Sequence, residues 1–136
     1  MAIKRMTKDD HPQSFGAFKP VGHVVVAMPD DERAAAAVRG LRAAGFEAED
    51  ILEYTAAEED DEMDRMLADA TANGVAGFGY EVSLMRRYQE LAKDGASWLI
   101  VYAPEDDRAS RVAEVTKSHG ALMAEKYHRL VIEDLI

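Results

Sequence analysis

Two acidic clusters, a glycine-rich stretch and four histidines have the residue types and spacing to do chemistry. Asp30, Asp31 and Glu32, and again Glu105, Asp106 and Asp107, could share a magnesium or calcium ion if folding brought both groups to one edge of a sheet. In the stretch Gly74 to Tyr80, GVAGFGY, glycine backbone and two aromatic rings could border a small ligand. His11, His23, His119 and His128 carry imidazoles suited to proton transfer or metal ligation.

Each feature also has a simpler use. Both acidic clusters follow a proline and precede a helical segment, where carboxylates satisfy free amide groups and the helix dipole. Arg33 and Arg108 stand three residues after Asp30 and Glu105, a spacing that predicts local pairing back to them. The glycines follow no predicted strand and run in the wrong order for a dinucleotide-binding turn, so the stretch reads first as a helix–helix corner. Read as a cleft, it assigns Gly77, Phe78, Gly79 and Tyr80 to ligand binding. The histidines show no His-x-x-x-His or His-Glu-x-x-His spacing, and His23 and His128 would meet only if the first and last strands pair. No serine sits in a nucleophile elbow and no carboxylate pair is defined well enough to divide into acid and base. No catalytic residue, metal or cofactor is assigned.

Composition narrows the classes. A chain of 136 residues is long enough to bury one core, and 48% apolar with 31% charged residues is the balance of a folded globular domain. With no cysteine there is no disulfide framework, thiolate metal site or cysteine nucleophile. A net charge of −10 without a basic cluster opposes binding to a phosphate backbone. No apolar run reaches the roughly 20 residues that span a bilayer, and the amino terminus lacks the apolar middle of a signal peptide, so a soluble cytoplasmic protein is expected.

The elements that must position these residues come in a repeat. Val24 to Phe46 and Leu99 to Ala121 align without a gap at a shift of 75 positions: an apolar run, a proline, an acidic cluster, an arginine, a helix and a glycine. The pattern predicts a strand at His23 to Met28, a helix to Ala44, and a short acidic strand at Glu47 to Tyr54. A second strand–helix pair follows, from Trp98 to Ala103 and on to about His119, with a last strand at Lys126 to Glu133. Between the halves, Thr55 to Asp94 reads as two helices, the second from about Glu81 to Lys93. Residues 1–22 have no period and read as an irregular arm before a single domain, 23–136, with halves 23–54 and 98–136 and a helical insertion at 55–97.

Two β-α-β units with apolar first strands and charged second strands predict an α+β fold of ferredoxin-like plan, the first strands central and the second strands at the edges. A doubly wound parallel sheet of four strands is the alternative. The choice bears on chemistry. Antiparallel central strands would hold the two acidic clusters roughly 20 Å apart, whereas a parallel sheet would bring them to one edge.

The segment ERAAAAVRGLRAAGFEAEDI resembles the opening unit of bacterial general stress proteins of the YflT type, in which a strand and alanine-rich helix lead to Gly-Phe and an acidic residue. The resemblance covers about a third of the chain, and an amphipathic helical pair stands where those proteins often carry a glycine-zipper segment. It implies a small stress-associated protein and brings no catalytic residues. Taken together, the residues point to a non-enzymatic binding or interaction module, expected as a homodimer, whose partner is a protein or small molecule. The alternative is a small-molecule sensor or enzyme with its site near the Gly74–Tyr80 corner.

Overall fold

The fold follows from two strongly apolar strands that need cover on both faces. In a computed structural model, which describes Arg5 and residues 13–14, 17–18, 21–55, 87, 90, 91, 93–128 and 132–136, the chain is α+β. A two-residue pair, β1 (Gln13–Ser14) and β2 (Ala17–Phe18), precedes the main elements. These are β3 (His23–Met28), α1 (Asp31–Ala43), β4 (Ile51–Tyr54), β5 (Ser97–Tyr102), α2 (Asp106–Ser118), β6 (Met123–Tyr127) and β7 (Ile132–Asp134). The last five strands with β3 among them form one sheet in the order β4-β5-β3-β6-β7.

Every pairing in that sheet is antiparallel, which overturns the parallel alternative. HVVVAM and SWLIVY take the centre because a strand with apolar residues on both sides is stable only where both faces are covered. The register sets Val25 directly opposite Ile100, its own counterpart 75 positions on. Met28 therefore lies beside Ser97, and His23 beside Tyr102.

One face carries both helices. Asp30 caps α1 by accepting from the Arg33 amide at 2.8 Å, and Ala34, Ala37 and Leu41 form its buried stripe. On α2 the buried stripe is Ala109, Val112, Ala113 and Thr116, whose hydroxyl is absorbed by the Val112 carbonyl at 2.7 Å. These residues close over Val24, Val26, Leu99 and Val101. Both helices end the same way: Gly45 and Gly120 take φ of 103° and 91°, while the amides of Phe46 and Ala121 reach back to the carbonyls of Leu41 and Thr116. Gly40 lets the helices approach, since a methyl group there would stand 3.0 Å from Val115 Cγ1 and 3.1 Å from His119 Nε2.

The second strand of each half differs from the sequence expectation. Residues Ala48–Asp50 form a 3-10 turn, so β4 begins at Ile51. Its start is delayed because the Asp50 side chain folds back to accept from the Glu47 amide at 3.0 Å, a local bond that competes with strand pairing. The last strand is two: β6 begins three residues earlier than expected, and β7 pairs outside it. Lys126 is thus interior, and the sheet's edge on that side is β7. In the arm, Arg5 reaches Asp50 at 2.9 Å, a tie that an aperiodic sequence does not reveal. Of the expected helix at Glu81 to Lys93, residues 87, 90, 91 and 93 are described, and they are helical.

Candidate functional site

The sheet's other face, free of α1 and α2, gathers the more polar chemistry. Strand alternation delivers it: Val25 and Ala27 from β3, Trp98 and Ile100 from β5, Tyr54 from β4, and Met123 and Tyr127 from β6 form one buried cluster. Leu91 from the helical residues before β5, with Leu52 and Ile132 from the flanking strands, packs against it. Tyr54 and Tyr127 end their strands in matching positions.

Into this cluster β6 inserts Glu125. It lies between Met123 and Tyr127 on the alternation, opposite Val25 on one side and Asp134 on the other. Glu125 is only 3% exposed, and among the described residues its Oε2 has no hydrogen-bond partner. Burial pushes the carboxyl from 4.5 up to about 7; the facing Asp134 pushes the same way, and Arg87 opposes both. The group is therefore able to hold or release a proton near neutrality, and as an acceptor it has unused capacity.

Its neighbour Lys126 points to the helix face and is equally buried, yet fully provided for. Nζ donates to the Pro104 carbonyl at 3.0 Å and to Asp106 Oδ1 at 3.1 Å. The carbonyl and carboxylate offset the desolvation of the ammonium and pin the start of α2 to β6. Successive residues of one strand thus carry a satisfied cation on one face and an unsatisfied acid on the other.

A second polar cluster lies where the arm, the 3-10 turn and α2 meet. Asp50 accepts from Arg5 at 2.9 Å and from the Glu47 amide at 3.0 Å, while Arg108 Nη2 stands 3.9 Å away. Arg108 also lies over the Phe46 ring at 4.0 Å from its centroid. The expected pairing of Arg108 with Glu105 is replaced by these contacts, because the first turn of α2 sits against the turn that follows α1. Arg33 makes the matching approach, its side chain lying over Gly120.

The acidic clusters fall at opposite ends of the sheet, as the register of β3 and β5 requires. Asp31 accepts a hydrogen bond from Ser97 beside one end, and Asp106 holds Lys126 at the other. Glu105 makes no side-chain cap bond; Asp107 accepts from the Arg108 amide instead, at 2.9 Å. Among the described residues no group of three or more His, Asp or Glu side chains is placed to hold a metal ion. His23 bonds the Val21 carbonyl at 3.0 Å and tilts against Tyr102, whereas His128 bonds Glu133 at 2.9 Å. His119 lies against Gly40. Gly77, Phe78, Gly79 and Tyr80 fall outside the described residues, as does His11.

Glu125 was hidden by the misplaced strand. With β6 starting at Lys126, residue 125 belongs to a connection; with β6 starting at Met123, the alternation MAEKY puts an acid between two apolar residues on a buried face. Comparison with known protein families, curated proteins and solved structures finds no match to this chain. Among the described residues no helix is long and apolar enough to cross a membrane.

Proposed function

We propose that the protein is a non-enzymatic binding module that uses the face of a ferredoxin-like, duplicated β-α-β sheet opposite α1 and α2 to hold a small molecule. The observation that carries this reading is the Glu125 carboxyl, buried among aromatic and aliphatic side chains with Oε2 unpartnered. An unmet buried acceptor destabilises a fold by about 1–3 kcal/mol, so its presence is understandable where a ligand completes it. The ligand's chemistry follows from the acceptor: an apolar body bearing an amine, amide or hydroxyl donor. The duplication reading is supported by the pairing of Val25 with its own counterpart, by the matched glycine ends of both helices and by the crossed approaches of Arg33 and Arg108.

A homodimer in the cytoplasm belongs to the same proposal, and the resemblance of the α1 segment to general stress proteins of the YflT type suggests a stress-associated role. Among the described residues, β4 pairs only with β5, and its outer side is the edge through which two copies would meet. Native mass spectrometry of the protein as purified tests both parts. Wild type is expected as two copies retaining a defined extra mass, and Glu125→Gln as two copies without it. A wild type with no extra mass, or a Glu125→Gln variant that keeps it, overturns the ligand reading; monomer alone at micromolar concentration overturns the dimer.

A further inference from the structure

The strand β7 is held by contacts that respond to protons. Among the described residues it is the outermost strand, three residues long, and pairs only with β6. Its register sets Asp134 directly opposite Glu125 and Glu133 opposite Lys126. Lys126 gives β7 no charge partner in return, because its ammonium is turned toward Pro104 and Asp106. Glu133 instead bonds His128, a contact that becomes an ion pair only when the imidazole is protonated. Beyond β7, the Leu135 amide bonds the Ala124 carbonyl at 2.9 Å, and Leu135 packs into the helix-face core.

We infer that β7 is a proton-operated strap, docked on β6 while Glu125 is neutral and released when Glu125 ionises opposite Asp134. Opposed residues of an antiparallel pair stand close enough for two like charges to destabilise the pairing. Among the described residues, the groups facing Glu125 leave that repulsion largely uncompensated. From β3 the opposed residue is Val25, with His23 on the same face two residues along. On β6 itself the same-face neighbours are Met123 and Tyr127. Among the described helical residues before β5, Arg87 favours the ionised form, but it is an exposed side chain whose attraction is smaller than the combined effect of burial and Asp134. With the carboxyl poised at about 7, the strap changes state across the neutral range. Release uncovers the outer edge of β6, a row of backbone groups open to strand addition.

The strap involves the same carboxyl as the proposed ligand site but operates in the empty protein, so its test uses material that native mass spectrometry shows to carry no extra mass. Amide hydrogen exchange, corrected for the intrinsic effect of pH, is followed at the β6–β7 ladder and at Leu135, with β3 amides as the reference for global opening. Between pH 5.5 and 8.5, wild type is expected to lose protection at least tenfold in β7 while β3 remains far better protected. Glu125→Gln, which keeps the shape and cannot ionise, is expected to lose less than twofold. Asp134 is exposed, so Asp134→Asn tests the same contact without disturbing the interior; with the like charge gone, docked Glu125 ionises at lower pH and at less cost to the pairing, so the fall in β7 protection is expected to be clearly smaller than in wild type. Protection in β7 that is flat with pH, or that falls alike in wild type and both variants, overturns the strap.

Discussion

Glu125 and Lys126 are adjacent, oppositely charged and almost completely buried, yet opposite signs are expected when their charges are removed. Lys126→Met breaks two bonds from an ammonium to oxygen acceptors and unpins the start of α2, so urea unfolding at pH 8 should show a loss of about 2 kcal/mol. Glu125→Met places an apolar side chain where an unpartnered acid stood, and the same measurement should show a gain of about 1–3 kcal/mol. A loss in both would mean that Glu125 is as well provided for as Lys126. Arg108 is a third residue whose partners lie far along the chain, and its half-exposed guanidinium contributes mainly through the Phe46 ring. Arg108→Ala is expected to lower stability by about 1 kcal/mol, with little change on adding salt, since the distant Asp50 contact is the minor part.

At the scale of elements, the helices are specified locally and the sheet's margins are not. Gly45 has open space around the position of a Cβ, so Gly45→Ala isolates the cost of a left-handed backbone: about 1 kcal/mol by thermal unfolding. Gly120 has the same conformation at the end of α2 and should respond alike, its nearest neighbours at 3.6 Å being the flexible end of Arg33. Gly40→Leu should be worse, by about 2 kcal/mol, because the space it would enter is filled by Val115 and His119. Gly45 and Gly120, the Asp30 cap and the apolar central strands were legible in the sequence because each effect is settled within a few residues, whereas Gly40 answers to Val115 and His119 far along the chain and Glu105 makes no side-chain cap bond. The start of β4 was not, because it turns on the Asp50 side chain bonding back to Glu47. The start of β6 was not, because ALMAEKY carries both helical and strand patterns and only pairing with β3 decides between them. That single ambiguity concealed the candidate site.

At the scale of the whole molecule, the described residues form a two-faced sheet in which one face is closed by α1 and α2 and the other gathers aromatic side chains around an acid. The direction of the acid's effect on global stability follows from its two protonation equilibria. Folded, Glu125 keeps its proton to about pH 7; unfolded, it releases it near 4.5. Between those values the folded chain binds more protons, so stability falls as pH rises, by up to about 3 kcal/mol in all, and the group adds no further slope above or below the window. The most direct measurement is therefore urea unfolding of wild type and Glu125→Gln at pH 5 and pH 8. Wild type should lose about 2.5 kcal/mol more than the variant between the two conditions, part of the window lying below pH 5. Parallel losses in the two proteins would show that Glu125 is ionised in the folded chain and satisfied there, and would remove the basis for a site on the face opposite α1 and α2.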